Sequence, residues 1–372
     1  MFYSKYLKQR AVPFKNWIFP SIKESKLFSS IITIPSYCES NHIMSTLDSL
    51  SQQSNFDLSS LLVLVVINNE KEAALDIVED NLKTIELIAN YQCEYALEYI
   101  DAFSNGNSLP DNLAGVGYSR KIGMDFGLKY SSKETIFHCL DADTIVSKNY
   151  LSKIKQIYKN ESTKALLVDF KHQDNENKPI SKHIRDYEVF LKQTALDIDK
   201  AGSPYGYVAL GPTITCLAET YVKVGGMVNK KATEDFYFLQ QIRKFTEIDF
   251  LKEELVFPSS RLSNRVYLGT GFRMSQLLEG KKIIELYYSE KSYKILNHSI
   301  RQILSSYRNK KTNLNQKLLA IDNSLPMFFS NEGLFKVWDK INNESNNINQ
   351  FKLQFHKWFD NLKTLRLLKF YS

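Results

Sequence analysis

Residues 135–144 read TIFHCLDADT. An apolar run of strand length, Thr135–Leu140, passes directly into Asp141-Ala142-Asp143. Two carboxylates two residues apart at a strand end present hard oxygen donors suited to Mg²⁺ or Mn²⁺, and leave coordination positions for phosphate and water. A metal held there can bridge a diphosphate and stabilise it as a leaving group. The same residues also make an ordinary Asp-rich turn, with Asp143 or Thr144 capping the next helix.

The flanking sequence decides what kind of sheet this strand joins. Upstream, Ile31–Pro35 and Leu61–Ile67 are apolar runs, the second rich in Val and Ile as in a strand buried on both faces. Glu94–Ile100 is a third strand candidate, and Ala165–Phe170 follows downstream. Amphipathic patterns at about 43–53, 71–90, 117–130, 181–199 and 218–224 read as helices, the last ending at Gly225-Gly226. Strand–helix–strand alternation at this spacing implies an α/β fold with a mostly parallel central sheet and helices on both faces. After residue 273 the pattern turns Lys- and Leu-rich and helical, and INNESNNINQ (341–350) reads as a linker. Three regions are expected: a basic aromatic segment (1–30), the α/β domain (31–272) and a mainly helical C-terminal region (273–372).

The chain has 372 residues, 43% hydrophobic and 24% charged, which excludes a collagen-like or wholly disordered chain. Its longest strictly apolar run, Leu61–Ile67, falls far short of the roughly 20 residues of a membrane span. The net charge of +7 is uneven: residues 1–30 carry +5, residues 351–372 carry +4, and the rest sums to −2. A near-neutral body argues against a nucleic-acid-binding protein. Four scattered cysteines with no CxxC pair support neither a zinc site nor a disulfide framework. The start, MFYSKYLKQR, lacks the apolar core of a signal peptide, so a cytoplasmic protein is expected.

Ligands of open parallel sheets bind outside the carboxyl ends of the strands, which directs attention to the residues following each one. GVGYSRKIGMD (115–125) leads into a helix whose first turns carry Arg120 and Lys121. Backbone N–H groups and an Arg suit a nucleotide diphosphate, and a solvated surface helix has the same sequence. Thr233-Glu234-Asp235 opens another helix, where the dipole stabilises charged carboxylates of the kind a general base needs. A plain acidic first turn capped by Thr233 reads equally well. Strand one ends in Pro35-Ser36-Tyr37-Cys38-Glu39 and strand two in Asn68-Asn69-Glu70, where Tyr37 can stack on a base and Asn69 can bond its edge. Pro and Asn are also ordinary turn formers.

The order of these segments is more specific than any one of them. PSYCE, VVINN, GVGYSRKIGM, LDADT, GPTITCLAETYVKVGGM and TEDFYF succeed one another over about 210 residues. Residues 28–270 resemble the family 2 glycosyltransferases of GT-A fold. The resemblance implies that Pro35, Tyr37, Glu39 and Asn69 hold the nucleoside of a UDP- or GDP-sugar, with Arg120 beside nucleotide and sugar. It implies that Asp141 and Asp143 hold ribose and a divalent metal (Mn²⁺ or Mg²⁺), Asp143 being the better ligand. The loop around Gly211 faces donor sugar and acceptor. Glu234-Asp235 supplies the catalytic base, Asp235 being favoured. A metal-dependent, inverting transfer to a glycan or glycolipid acceptor in cell-surface polysaccharide assembly is the implied activity.

The chain departs from that pattern where it has Asn68-Asn69-Glu70 in place of DDGS-like residues. It also lacks the aromatic-basic motif of processive synthases, so non-processive transfer is expected. In its place stands VFPSSRLSNRVYLGTGFRM (256–274), whose Arg261, Arg265 and Arg273 suit a diphosphate or an anionic acceptor. Pro258 and the Gly269/Gly271 pair favour a shaped loop able to close over a donor. His138 reads as a core histidine, and His298 is a candidate third metal ligand. Phe351, Phe355, Trp358, Phe359, Leu362 and Leu365 fall on one helical stripe with basic flanks, which either packs on the protein or lies peripherally on an anionic membrane. The aromatic N-terminal segment carries the same pair of readings. A nucleotidyltransferase of similar fold and a non-catalytic glycan-binding or scaffold protein are the alternative functions.

Overall fold

The computed structural model describes residues 1–13, 17, 22, 26–230, 232–262 and 269–372. It divides into two compact units: residues 1–184 with 209–279, and residues 185–208 with 280–372.

The first unit is built in chain order from α1 (Ser4–Gln9), β1 (Phe28–Ser36), α2 (Ile43–Ser51), β2 (Leu61–Asn68), α3 (Leu75–Asn90) and β3 (Ala96–Ala102). It continues with α4 (Val116–Gly127), β4 (Ser131–Cys139), β5 (Ile145–Val146), α5 (Tyr150–Ile157), β6 (Ala165–Phe170) and α6 (Lys178–Lys200), the last running on into the second unit. β7 (Ile214–Leu217), α7 (Ala218–Lys223), α8 (Glu234–Phe245), β8 (Asp249–Phe257) and α9 (Thr270–Leu278) complete it. The eight strands form one sheet in the order β3-β2-β1-β4-β7-β6-β8-β5. β2, β1, β3 and β4 pair in parallel, as do β6 and β8, whereas β7 and β5 run antiparallel to their neighbours. This is the mostly parallel α/β sheet expected from the alternation of elements, and a helical C-terminal region follows it. Every residue of β2 is buried, the property its unbroken Val/Ile/Leu run requires.

β7 and β8 were not legible as strands. β7 is four residues long and follows the Gly/Pro-rich stretch. β8 carries Lys252-Glu253-Glu254 on exposed positions, and only Leu251, Leu255 and Val256 of its residues are buried. Its pairing with β6 also shifts register after Val168 and Asp169, which breaks any simple alternation.

α4 lies close on the sheet because its glycines permit it. A Cβ at Gly123 would overlap Thr33 of β1 and stand 3.0 Å from Val66 of β2, and one at Gly127 would stand 3.2 Å from Ile31. The other side of α4 receives the N-terminal helix. Tyr6 and Tyr221 each donate to Asp125 Oδ1 at 2.6 Å, Val12 N donates to Oδ2 at 2.8 Å, and Lys121 Nζ lies 3.1 Å from Oδ2. A Cβ at Gly226 would overlap Tyr6, so the paired glycines after α7 make room for α1 as well as ending the helix. Tyr3 and Tyr6 are therefore buried packing residues, and Trp17 donates its indole N–H to Asn107 O at 3.1 Å; Phe14 and Phe19 lie outside the described residues.

The second unit adds α10 (Glu290–Leu304), α11 (Lys311–Leu319), α12 (Leu325–Asn331), α13 (Leu334–Asn343), α14 (Ile348–Trp358) and α15 (Asn361–Phe370). The C-terminal stripe is not one helix: it breaks after Trp358, and Asp360 caps α15 by accepting from Lys363 N. Phe351, Phe355 and Phe359 are buried in this unit's core with Trp338 and Phe329, and Trp358 and Leu365 pack against it. These five residues of the stripe are engaged in packing. No helix among the described residues is long and apolar enough to cross a membrane.

Gly123→Val is expected to lower stability by about 1–3 kcal/mol, because the branched side chain must push α4 off β1 and β2. Urea unfolding checks this; an unchanged midpoint and slope would contradict the close packing.

Candidate active site

Asp141 and Asp143 follow β4 at the carboxyl end of the parallel strands, beside the ends of β1 and β2. Two arginines gather the acidic residues there. Arg120 of α4, 2% exposed, donates through Nη2 to Asp141 Oδ1 and through Nη1 to Glu234 Oε1. Arg261 donates through Nη2 to Glu39 Oε1 and lies through Nε 2.8 Å from Asp143 Oδ2. Five segments far apart in sequence, around residues 39, 120, 141–143, 234 and 261, are tied in this way at one end of the sheet.

Glycines make the Arg120 seat possible. A Cβ at Gly211 would overlap the guanidinium itself, so the Gly211 backbone lies against its face. A Cβ at Gly117 would overlap Lys230 O and stand 2.7 Å from Glu234 Cβ, so Gly117 lets the start of α8 reach α4. The glycines of GVG thus serve helix approach as well as helix initiation, a role that spacing in sequence does not reveal. Two acidic residues are preceded by strained backbone. Cys38 (φ 56°) precedes Glu39, and Thr233 (φ 66°) precedes Glu234. A β-branched residue in the left-handed region is costly, and Thr233 offers no side-chain cap in return. Such strain persists where the surroundings over-determine the conformation, here where a carboxylate must meet a buried guanidinium.

Burial dominates the electrostatics. Desolvation disfavours charge on Arg120, but Asp141 and Glu234 outweigh it and hold the guanidinium more firmly protonated than usual. Burial raises Glu234 and Asp235 above the ordinary carboxylate range, against the pull of Arg120. Burial pushes Asp143 up to about 6, with Arg261 acting in the opposite direction. Asp235 Oδ1 accepts from the backbone N of Phe236 at 2.7 Å. Asp235 Oδ2, Asp141 Oδ2 and Asp143 Oδ1 accept no hydrogen bond among the described residues.

The expected residues around the end of β2 are engaged differently. Tyr37 donates to Glu70 Oε1 at 3.1 Å. Asn69 donates to Glu70 O at 2.7 Å and to Phe103 O at 3.4 Å, and accepts from Asn81 Nδ2 at 3.0 Å. Its amide is thus largely committed to holding the loop, and a base edge would have to compete for it. Asn81 on α3, which also receives Cys38 N at 3.1 Å, is the organiser that sequence reading missed. Pro35 sits in β1 next to the loop. Gln173, also unforeseen, donates to Asp143 O at 2.9 Å and to Phe257 O at 2.7 Å, fixing the second Asp against β8. Arg273 lies on α9 and donates to Gln276; Arg265 lies outside the described residues. His138 is buried with Nδ1 3.2 Å from Tyr150 Oη, and burial lowers its pKa to about 3, which leaves a neutral core histidine. His298 is on α10 in the second unit.

The two carboxylate oxygens left open by Asp141 and Asp143 are hard donors of the type Mg²⁺ and Mn²⁺ take. No group of three or more His, Cys, Asp or Glu side chains able to hold a metal occurs among the described residues. The donor set therefore fits a cation whose remaining ligands are phosphate and water, the usual manner of holding Mg²⁺.

No family model and no curated protein matches the chain. Among solved structures it is similar to residues 1–349 of TarS from S. aureus in complex with UDP-GlcNAc, at 15% identity and a TM-score of 0.46, covering 85% of this chain and 78% of that one. It is also similar to the mannosyltransferase PcManGT from Pyrobaculum calidifontis in complex with GDP-Man and Mn²⁺, at 13% identity and a TM-score of 0.43, covering 98% and 84%. At that identity and overlap the likenesses carry no conclusion about activity.

Asp143 supplies a pH test. Its folded-state pKa is raised from 3.8 to about 6, so the folded chain binds its proton more tightly than the unfolded one. The stability this group contributes is present below its unfolded pKa and is lost as pH rises through the folded value. Stability in urea is expected to fall between about pH 4 and pH 6 more steeply in the wild type than in Asp143→Asn. Parallel profiles would show that burial of this carboxyl is not the cause.

Proposed function

We propose that this chain is a metal-dependent, inverting, non-processive glycosyltransferase that moves a sugar from a UDP- or GDP-sugar to a glycan or glycolipid acceptor. The observation that carries the reading is the convergence at one strand-end site of Asp141, Asp143, Asp235 and two arginines. Open carboxylate oxygens there meet cationic side chains suited to a departing diphosphate.

In this reading the nucleoside packs by Pro35 and Tyr37, with Glu39 and Asn69 close behind. Asp141 and Asp143 hold the divalent cation. When bound, the cation neutralises the diphosphate and makes it a better leaving group. Arg261 is the more accessible arginine, and its fork suits phosphate oxygens. Arg120 stays buried and keeps Asp141 and Glu234 in place. Asp235 takes the proton of the acceptor hydroxyl at Oδ2. The absence of a competing bond at that oxygen among the described residues supports this role over Glu234, whose Oε1 is paired with Arg120. The acceptor oxygen attacks the anomeric carbon from the face opposite the leaving group. The bond to the nucleoside diphosphate breaks, and the configuration inverts. Gly211 borders the donor sugar, where a side chain would displace Arg120. Transfer to a lipid-linked or cell-surface glycan fits this chemistry, and the acceptor itself is identified by assay.

A thermal-shift screen of UDP- and GDP-sugars with and without Mn²⁺ tests the reading. A donor at a hundred times its Kd is expected to stabilise the chain by about 2.7 kcal/mol. Asp143→Ala is expected to abolish the Mn²⁺-dependent part of that shift. Asp235→Asn is expected to slow transfer by about 10²–10⁴-fold with donor binding retained. No shift with any donor, or undiminished transfer by Asp235→Asn, would overturn the proposal.

A further inference from the structure

The second unit contains an open cavity of about 410 Å³ that plays no part in the chemistry above. It lies within the roughly 300–1,000 Å³ range of small-molecule sites. Its walls come from the C-terminal end of α6 and from the start of α10 with the segment before it. Tyr287, Tyr288 and Tyr293 line it. All three rings are set by aromatic neighbours: Tyr288 and Tyr293 meet edge to face at 6.2 Å, and Tyr287 meets Phe190 edge to face at 5.0 Å. The lone aliphatic residue of the lining is Ala201.

The polar lining is balanced in charge. Asp197 and Glu290 stand against Lys200 and Lys294, with Lys294 Nζ 2.6 Å from Glu290 Oε1. Asn297 donates to Ala201 O at 3.3 Å and presents its other polar groups to the cavity, beside His298. The lining therefore combines acceptors, donors and aromatic rings, with neither excess charge for an anion nor aliphatic surface for a lipid. A sugar ring has the complementary makeup. Its C–H face is apolar and packs on an aromatic plane, while its hydroxyls donate and accept at the same time.

We propose that this cavity is a second carbohydrate site, for a short neutral oligosaccharide. That the bound glycan is the acceptor rests on the transferase reading above; binding of an oligosaccharide by the cavity does not. An acceptor held on the same chain would raise its effective concentration at the transfer site.

Saturation-transfer NMR and titration calorimetry of the full chain with maltotetraose, cellotetraose and chitotetraose test the proposal. Binding of at least one probe is expected, weakened about tenfold or more in Tyr288→Ala and largely kept in Tyr288→Phe. Donor hydrolysis is expected to be unchanged in both. If Tyr288→Ala fails to fold, Tyr287→Ala and Lys200→Ala give the same comparison. Binding of none of the three probes, or binding indifferent to these substitutions, overturns the proposal. So does binding of phosphatidylcholine vesicles in place of the sugars. A wild-type chain that binds an oligosaccharide with this dependence on Tyr288 but hydrolyses no donor would overturn the transferase reading and support the carbohydrate site.

Discussion

A guanidinium buried to 2% exposure at the carboxyl end of the sheet's parallel strands is the constraint on which the rest depends. Removing Arg120 from water is costly unless carboxylates meet it in good geometry. Asp141 comes from the end of β4 and Glu234 from the start of α8, so one side chain sets the spacing between the two acidic motifs. Each concession nearby follows from that need. Gly211 lets backbone lie against the guanidinium, Gly117 admits α8, and Thr233 accepts a left-handed backbone. The buried contact between Arg120 and its carboxyl partners is held with local strain at Thr233.

The far side of the same helix is fastened by a second buried network. Asp125 is held by Tyr6, Tyr221, Val12 N and Lys121, so the N-terminal segment braces the helix that presents Arg120. Part of the basic character of the chain's start is thereby anchored on the domain. Arg261 repeats the logic of Arg120 in a more accessible place, bridging Glu39 and Asp143. Arg120 is sealed from solvent, whereas the Arg261 side chain keeps 28% of its surface exposed.

Much of this was legible along the chain. The apolar runs of β1, β2, β4 and β6 and the helices between them have periods that burial on one or both faces imposes, so they could be read locally. The carboxylates of 141, 143, 234 and 235 stood out by their place at a strand end or helix start within an ordered series of segments, since each pair alone is also ordinary turn or first-turn chemistry. β7 and β8 did not stand out. One is too short to show a period, and the other carries three consecutive charges on solvent-facing positions. The C-terminal aromatic stripe was visible, yet its period is the same for a helix facing a core and one facing a membrane; the structure buries Phe351, Phe355 and Phe359 with Trp338 and Phe329.

The sequence by itself determined the α/β class, the helical C-terminal region and the residue types at the strand ends, because hydrophobic period and local chemistry are properties of neighbours in the chain. The tertiary structure alone decided which charges pair. Glu234 meets Arg120 across 114 positions and Glu39 meets Arg261 across 222, and no local pattern encodes such partners. It also decided that Asn69 is committed to its loop while Asp235 keeps an oxygen open among the described residues. Desolvation acts through space, so the roles of these carboxylates are fixed by what packs around them.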